Sequence, residues 1–352
     1  MPSTEEFKIN SLYLTCSIIL LSFFDLYSQN YGSIFSYFGI LLYYGFFSKY
    51  GSYHVRGLVV LSISAASVSL LSTPVNPLTW AATSISLMIL SQNFDKHETT
   101  IKDAFTIILK FNLFSFYILW YLNFIAGYSI NITELLGLEP QRTIGDVTIL
   151  RPTGLLLEPN SYCLLIYSIL LVLKRFQLKT HSYLFYGSII SIALSQSFFA
   201  LALLPILIFL YRPQGIFSES YKSLVLLILI SLIVWANTGY FESRIDKIMY
   251  TNDLSYLIRI GDYDSWISEY SLFGVGFNFI DWESPSILLA WLMQRAGLIF
   301  STILVMILFI RAMRHRVTLG ILYLSPYLFT QPVNTKWFFA LSASIWLSRP
   351  KE

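Results

Sequence analysis

Residues 183–210 read YLFYGSIISIALSQSFFALALLPILIFL, and the course of everything downstream depends on whether this is one membrane-crossing helix or two. As one long tilted helix it carries the chain across a bilayer once. Interrupted at Ser195, Gln196 and Ser197, it becomes two short helices that carry the chain across and back. The flanking charges decide between them. Lys174, Arg175 and Lys179 precede the stretch and Arg212 and Lys222 follow it, and the positive-inside rule leaves both groups on the cytoplasmic side only if two helices lie between. Two helices also keep Arg311, Arg314 and Arg316 inside, whereas one places them outside.

The same alternation extends in both directions. Apolar spans are predicted near 11–27, 34–48, 57–73, 78–92, 104–126, 154–173, 182–196, 198–211, 222–239, 285–310, 317–331 and 334–347. Every second connection is basic, from Lys49 and Arg56, through Lys96 and Lys102, to Arg349 and Lys351 at the end of the chain. Both termini are therefore expected in the cytoplasm, with Asp25 to Tyr31, Thr73 to Pro77, residues 127–153 and residues 240–284 outside. The expected fold is all-α: a polytopic integral membrane bundle of about twelve transmembrane helices forming a single transmembrane domain over residues 1–352. Several spans are short, which allows thin or re-entrant parts whose backbone faces protein or a cavity.

Composition supports lipid as the solvent. The chain is 55% hydrophobic and 12% charged, against roughly one-quarter charged residues in an average soluble domain, and its mean hydropathy is +0.63. The net charge of +3 says little, because the distribution of charge matters more than its sum in a membrane protein; no nucleic-acid partner is expected. The first apolar segment, Leu12 to Leu26, follows Glu5, Glu6 and Lys8 without a small-residue cleavage site before the next span, so it is expected to stay in the mature protein. Cys16 and Cys163 lie in apolar runs and read as small buried residues rather than a disulfide or zinc site. Many of the 24 tyrosines fall near predicted span ends, where an interfacial belt accounts for them. No internal repeat of useful strength is present, which weakens an inverted-repeat transporter reading.

Polar mass concentrates in two outer loops, residues 127–153 and 240–284. The first holds Glu134, Glu139, Arg142, Asp146 and Arg151 and enters the next span as Arg151-Pro152-Thr153-Gly154-Leu155-Leu156-Leu157-Glu158-Pro159-Asn160. A helix starting near Pro152, a favoured first-turn residue, puts Glu158 about two turns inside it, and Pro159 then predicts a kink. An ionisable residue at that depth is a candidate functional group, although an ion pair with Arg151 that merely orients two helices accounts for it too. The second loop is rich in balanced charge. The spacing of Tyr256, Leu257, Ile260, Tyr263, Trp266 and Ile267 fits an amphipathic helix on the membrane surface, followed by a turn containing Gly274 and Gly276 where backbone can approach a ligand.

Arg142, Arg151, Arg244 and Arg259 lie on this outer face, and the planar guanidinium fork is well suited to phosphate. Surface pairing with nearby acids is the plainer account of any one of them. Arg151 and Arg259, beside apolar stretches, are the stronger candidates. Asp262-Tyr263-Asp264 has the look of a two-aspartate metal signature, but two acids supply too few hard oxygen ligands, and no metal or other cofactor is expected. His54, His97, His181 and His315 all fall in cytoplasmic connections, so no imidazole is available outside as a base.

With these marks the sequence resembles the Wzy-type bacterial polysaccharide polymerases, which make O-antigen or capsule and are related to the O-antigen ligases. The resemblance rests on the many spans with two enlarged outer loops, on Arg151-Pro152-Thr153-Gly154 with Glu158-Pro159, and on Arg259 and Trp266 ahead of Leu272-Phe273-Gly274-Val275-Gly276. It implies a multi-pass protein of the bacterial inner membrane that joins sugar units carried on undecaprenyl diphosphate at the periplasmic face, without nucleotide sugars or metal. Its partners would be the lipid-linked donor and acceptor, membrane lipids and, as a further candidate, a chain-length regulator. Arg151 and Arg259 would hold the donor diphosphate, helped by Arg142 or Arg244. Glu158 would orient those arginines or take part in acceptor activation, with Asp281 and Glu283 as the other available carboxylates. A ligase would be expected to carry a histidine shortly after the Gly-x-Gly turn, where this chain has Asp281 and Glu283.

Two rivals remain open on the sequence. A ligase moves a finished glycan to another acceptor. A lipid-sugar transporter needs a central solvated cavity with charges in several spans, whereas here Lys110, Glu158 and Arg295 are the main charges within spans.

Overall fold

The computed structural model describes residues 4–24, 34–50, 97–128, 130, 153–156, 158–176, 182–195, 197–210, 272, 293–294, 297–303, 305–307, 310, 326–327 and 337–347. Within them the regular structure is entirely helical, with no strand. Seven helices follow in order: α1 (Thr4–Ser22), α2 (Ile34–Tyr50), α3 (Glu98–Phe124), α4 (Pro159–Arg175), α5 (Ser182–Leu194), α6 (Phe198–Leu210) and α7 (Trp337–Leu347). The expected spans near 57–73, 78–92 and 222–239, half of that near 285–310 and most of that near 317–331 lie outside the described residues.

Among the described residues α3, 27 residues long, is the one helix long and apolar enough to cross a membrane. The others offer shorter apolar stretches, among them Ser11–Ser22, Ile34–Phe46, Tyr183–Leu194 and Trp337–Trp346. The ambiguous stretch at 183–210 is divided: α5 ends at Leu194 and α6 begins at Phe198. Ser197 caps the new helix, its Oγ accepting the Phe199 N–H at 3.2 Å, a favoured N-cap arrangement that satisfies a first-turn donor.

The chain forms two compact units, residues 1–207 with 334–352, and residues 208–333. The first is built around α4. Every residue from Ser161 to Leu173 is buried, so this helix is enclosed on all sides, as an element that is apolar around its whole circumference must be. α3, α5 and α7 pack against it, while α1 packs on α2, α3 and α7. The C-terminal helix is seated by three successive aromatic side chains. Trp337 meets Tyr37 of α2 edge-on at 5.3 Å, Phe338 meets Phe105 of α3 at 5.4 Å, and Phe339 meets Phe24 beyond α1 at 4.7 Å. Neighbours on a helix point about 100° apart, so three in a row reach three different elements.

α3 has two characters. Ile101, Ala104, Phe105, Ile108 and Phe116 face the interior, whereas Ile107, Phe111, Phe114, Ile118, Tyr121 and Phe124 are exposed. An apolar stripe of that length on the outside of a helix has an exposed surface that water does not favour. Several buried hydroxyls are satisfied within their own helix: Ser168 donates to the Leu164 carbonyl, Ser188 to that of Leu184 and Ser342 to that of Phe338. This i−4 back-bonding removes the penalty of a polar group in an apolar surround without joining helices. A few bonds do join them. Thr100 donates to Ser11 at 3.3 Å, Ser17 to the Gly39 carbonyl, and Tyr117 to the Gly187 carbonyl at 2.7 Å.

In the second unit, the described residues include an apolar helical stretch over 297–303, with Leu298, Ile299, Phe300 and Ile303 exposed and Ser301 buried. Its Ile299 N–H donates to the Leu272 carbonyl at 3.3 Å.

Candidate functional site at the mouth of the buried helix

The segment expected to carry polar residues into the membrane folds differently from the reading above. α4 opens at Pro159 rather than near Pro152, and Glu158 is its N-cap residue, with φ −124° and ψ 139°. Glu158 therefore stands at the mouth of the helix and not two turns within it, and Pro159 starts the helix instead of kinking it. The reason is local. The residue before a proline is sterically excluded from the helical region, while proline itself suits the first helical position, where its missing N–H is no loss. That signal was present in the sequence, and Pro152 obscured it.

Ahead of the helix the chain makes a turn, with the Leu156 N–H donating to the Thr153 carbonyl at 3.2 Å. Gly154 adopts φ +61° in this turn, a left-handed conformation that costs an L-residue roughly 1–2 kcal/mol. It lies against the Tyr162 ring, which stacks on Phe116 of α3 at 4.7 Å with planes inclined by 17°. A β-carbon at Gly154 would sit 3.5 Å from the Tyr162 ring and 3.6 Å from the Phe116 Cβ, ordinary van der Waals spacing. The turn is thus laid on an aromatic pair that ties α3 to α4.

Backbone and side chain of Glu158 have separate roles. Its carbonyl accepts the Tyr162 N–H at 3.0 Å, the first bond of the helix. Its carboxylate makes no capping hydrogen bond, and the residue is half-buried. A negative charge at a helix N-terminus lies at the favourable end of the helix dipole. A carboxylate so placed can accept a hydrogen bond or orient a cationic partner.

Behind the mouth lies a polar contact with the break between α5 and α6. Ser197 donates through Oγ to the Asn160 carboxamide oxygen. One turn deeper, Cys163 Sγ and Ser195 Oγ are 3.0 Å apart. Asn160 and Cys163 are three residues apart and so share one face of α4, the face against which the 195–197 break rests. Tyr162 is fully buried, and its hydroxyl lies close to Ser191 without meeting hydrogen-bond geometry.

Of the candidate catalytic and substrate-binding residues read from the sequence, only Glu158 is described. Arg142, Arg151, Arg244, Arg259, Gly274, Gly276, Asp281 and Glu283 lie outside the described residues. Among those described, no three His, Cys, Asp or Glu side chains are grouped so as to hold a metal. The sequence reading passed over Asn160 and treated Ser195 and Ser197 solely as an interruption. The signal was the i, i+3 spacing of Asn160 and Cys163, which puts both on one face of the span.

The chain matches no protein-family model, no curated protein and no solved structure.

Proposed function

We propose that this chain is a multi-pass membrane glycosyltransferase that polymerises undecaprenyl-diphosphate-linked oligosaccharide repeat units at the periplasmic face of a bacterial inner membrane, as an O-antigen or capsule polymerase. The observation that carries the reading is the placing of Glu158. A carboxylate uncommitted to capping stands at the N-terminus of a helix that is buried from Ser161 to Leu173, seven residues after Arg151 and directly after a turn that needs Gly154. Membrane residence is supported by the mean hydropathy of +0.63, by the exposed apolar stripe of α3 and by the alternation of basic connections. The twelve-span arrangement, with both termini in the cytoplasm and loops at 127–153 and 240–284, is part of this proposal.

In the proposed reaction an acceptor sugar hydroxyl attacks the anomeric carbon of the donor. The new glycosidic C–O bond forms as the bond to the lipid diphosphate breaks, undecaprenyl diphosphate leaves with the bonding pair, and the hydroxyl proton passes to a carboxylate. Negative charge grows on the leaving oxygen, and preorganised arginines offset it without a metal. Arg151 and Arg259 are assigned to the diphosphate, with Arg142 and Arg244 as helpers and the backbone at Gly274 and Gly276 near the substrate. Glu158 orients the arginines, and Asp281 and Glu283 are the alternative proton acceptors.

The test is deletion of the chain followed by analysis of lipid-linked glycans. A polymerase leaves single repeat units on undecaprenyl diphosphate, and purified protein in vesicles extends them. Accumulation of long lipid-linked chains would identify a ligase instead. Repeat units trapped on the cytoplasmic leaflet would identify a transporter.

A further inference from the structure

We propose that Ser197 and Asn160 are positioning residues for Glu158, holding the mouth of α4 through the break between α5 and α6; the catalytic consequence rests on the polymerase reading above. Ser197 is 1% exposed, and its hydroxyl is used twice. It accepts the Phe199 N–H, capping α6, and it donates its proton to the Asn160 carboxamide. One oxygen therefore joins the first turns of two helices.

Asn160 stands two residues beyond Glu158, within the first turn of α4, where the intrahelical ladder is incomplete and the backbone is least constrained. Pro159 contributes no N–H there. The outer bond at Asn160 is backed by the Cys163–Ser195 contact one turn deeper, so two successive points on a single face fix the rotation of α4 about its axis. The Tyr162–Phe116 stack and Gly154 brace it against α3. Without the outer bond, the start of the first turn loses the anchor nearest Glu158 and frays from that end, carrying the Glu158 carboxylate with it. Reacting groups misplaced by about 1 Å lose up to about 100-fold in rate.

The experiment uses the full chain, purified and reconstituted with undecaprenyl-diphosphate repeat units. Asn160→Ala removes the carboxamide and leaves the α6 cap intact, while Ser197→Ala removes both bonds. Each is expected to lower kcat by about 10- to 100-fold with KM near the wild-type value. Ser197→Thr, which retains the hydroxyl, restores turnover, and the Asn160→Ala/Ser197→Ala double variant is no worse than the worse single one, as for two residues acting through one bond. An arm independent of activity follows maleimide labelling of Glu158→Cys in detergent, with Cys16 replaced by Ser and Cys163 shielded by complete burial. Adding Asn160→Ala is expected to change the labelling rate several-fold. Wild-type kcat together with an unchanged labelling rate in Asn160→Ala overturns the proposal even if Ser197→Ala fails to accumulate. If the wild-type chain extends no repeat unit, the polymerase reading fails, and the labelling arm alone decides whether the bond fixes Glu158.

Discussion

Ser17 and Gly39 bring α1 and α2 into backbone contact: Ser17 Oγ donates to the Gly39 carbonyl at 2.7 Å, and a β-carbon on residue 39 would lie 2.9 Å from Leu21 Cγ, 3.0 Å from the Leu21 amide nitrogen and 3.1 Å from the Ser17 carbonyl oxygen. Two of those three neighbours are backbone atoms, which cannot move aside without shifting a helix. A small residue at a helix crossing is what lets main chains approach and a hydroxyl reach across when the surround is apolar. Gly39→Ala is therefore expected to destabilise the protein by about 1–3 kcal/mol, as overpacked cores do. Gly187→Ala is the matched control, since its β-carbon would meet Leu113 at 3.7 Å. Thermal unfolding in detergent checks the pair, and equal melting temperatures for the two variants would contradict the close approach.

Gly154 makes a different demand. Space for a methyl group exists beside Tyr162 and Phe116, but the backbone is left-handed. Gly154→Ala is expected to cost about 1–2 kcal/mol through conformation alone, and Gly154→Asn less, because asparagine tolerates that region. The order Gly, Asn, Ala in melting temperature is the outcome to look for. Should Asn prove worse than Ala, the cost would be steric and the turn different.

Topology is tested by the accessibility of single cysteines. With α5 and α6 crossing the membrane separately, position 214 lies inside and position 256 outside. An impermeant reagent applied from the periplasm should label a cysteine at 256 and spare one at 214. The reverse pattern would mean that the chain crosses only once between Tyr183 and Leu210, and it would move the loop at 240–284 to the cytoplasmic side.

The proposed diphosphate contacts predict that Arg151→Ala and Arg259→Ala each abolish polymer in a protein that still inserts. Lysine at either position should rescue poorly, because a point charge cannot reproduce a bidentate fork. Glu158→Gln is expected to keep part of the turnover, since a carboxamide can still accept a hydrogen bond at the helix mouth. The measurement is chain extension of lipid-linked repeat units across pH. Complete loss in Glu158→Gln with unchanged donor affinity would make Glu158 the base, and full activity in both arginine variants would remove the arginines from the site.

By itself the sequence determined that the described residues are helical and that 183–210 is broken. Long apolar runs and the three consecutive polar residues that interrupt them are local properties, and they survive into the structure as α5 and α6 with the break between. It also located Glu158 as the carboxylate to examine, though not its place in the helix. Two prolines competed to open α4, and the exclusion of Glu158 from helical backbone by Pro159 won. Tertiary structure decided what no local pattern contains: that α4 is the helix enclosed on every side, that Trp337, Phe338 and Phe339 reach three different elements, and that Ser197 gives its proton to Asn160. Those contacts join residues tens to hundreds of positions apart. Among helices as apolar as these, nearly every face looks alike in composition, so the packing of small residues and the few polar side chains that find partners across helices select which faces meet.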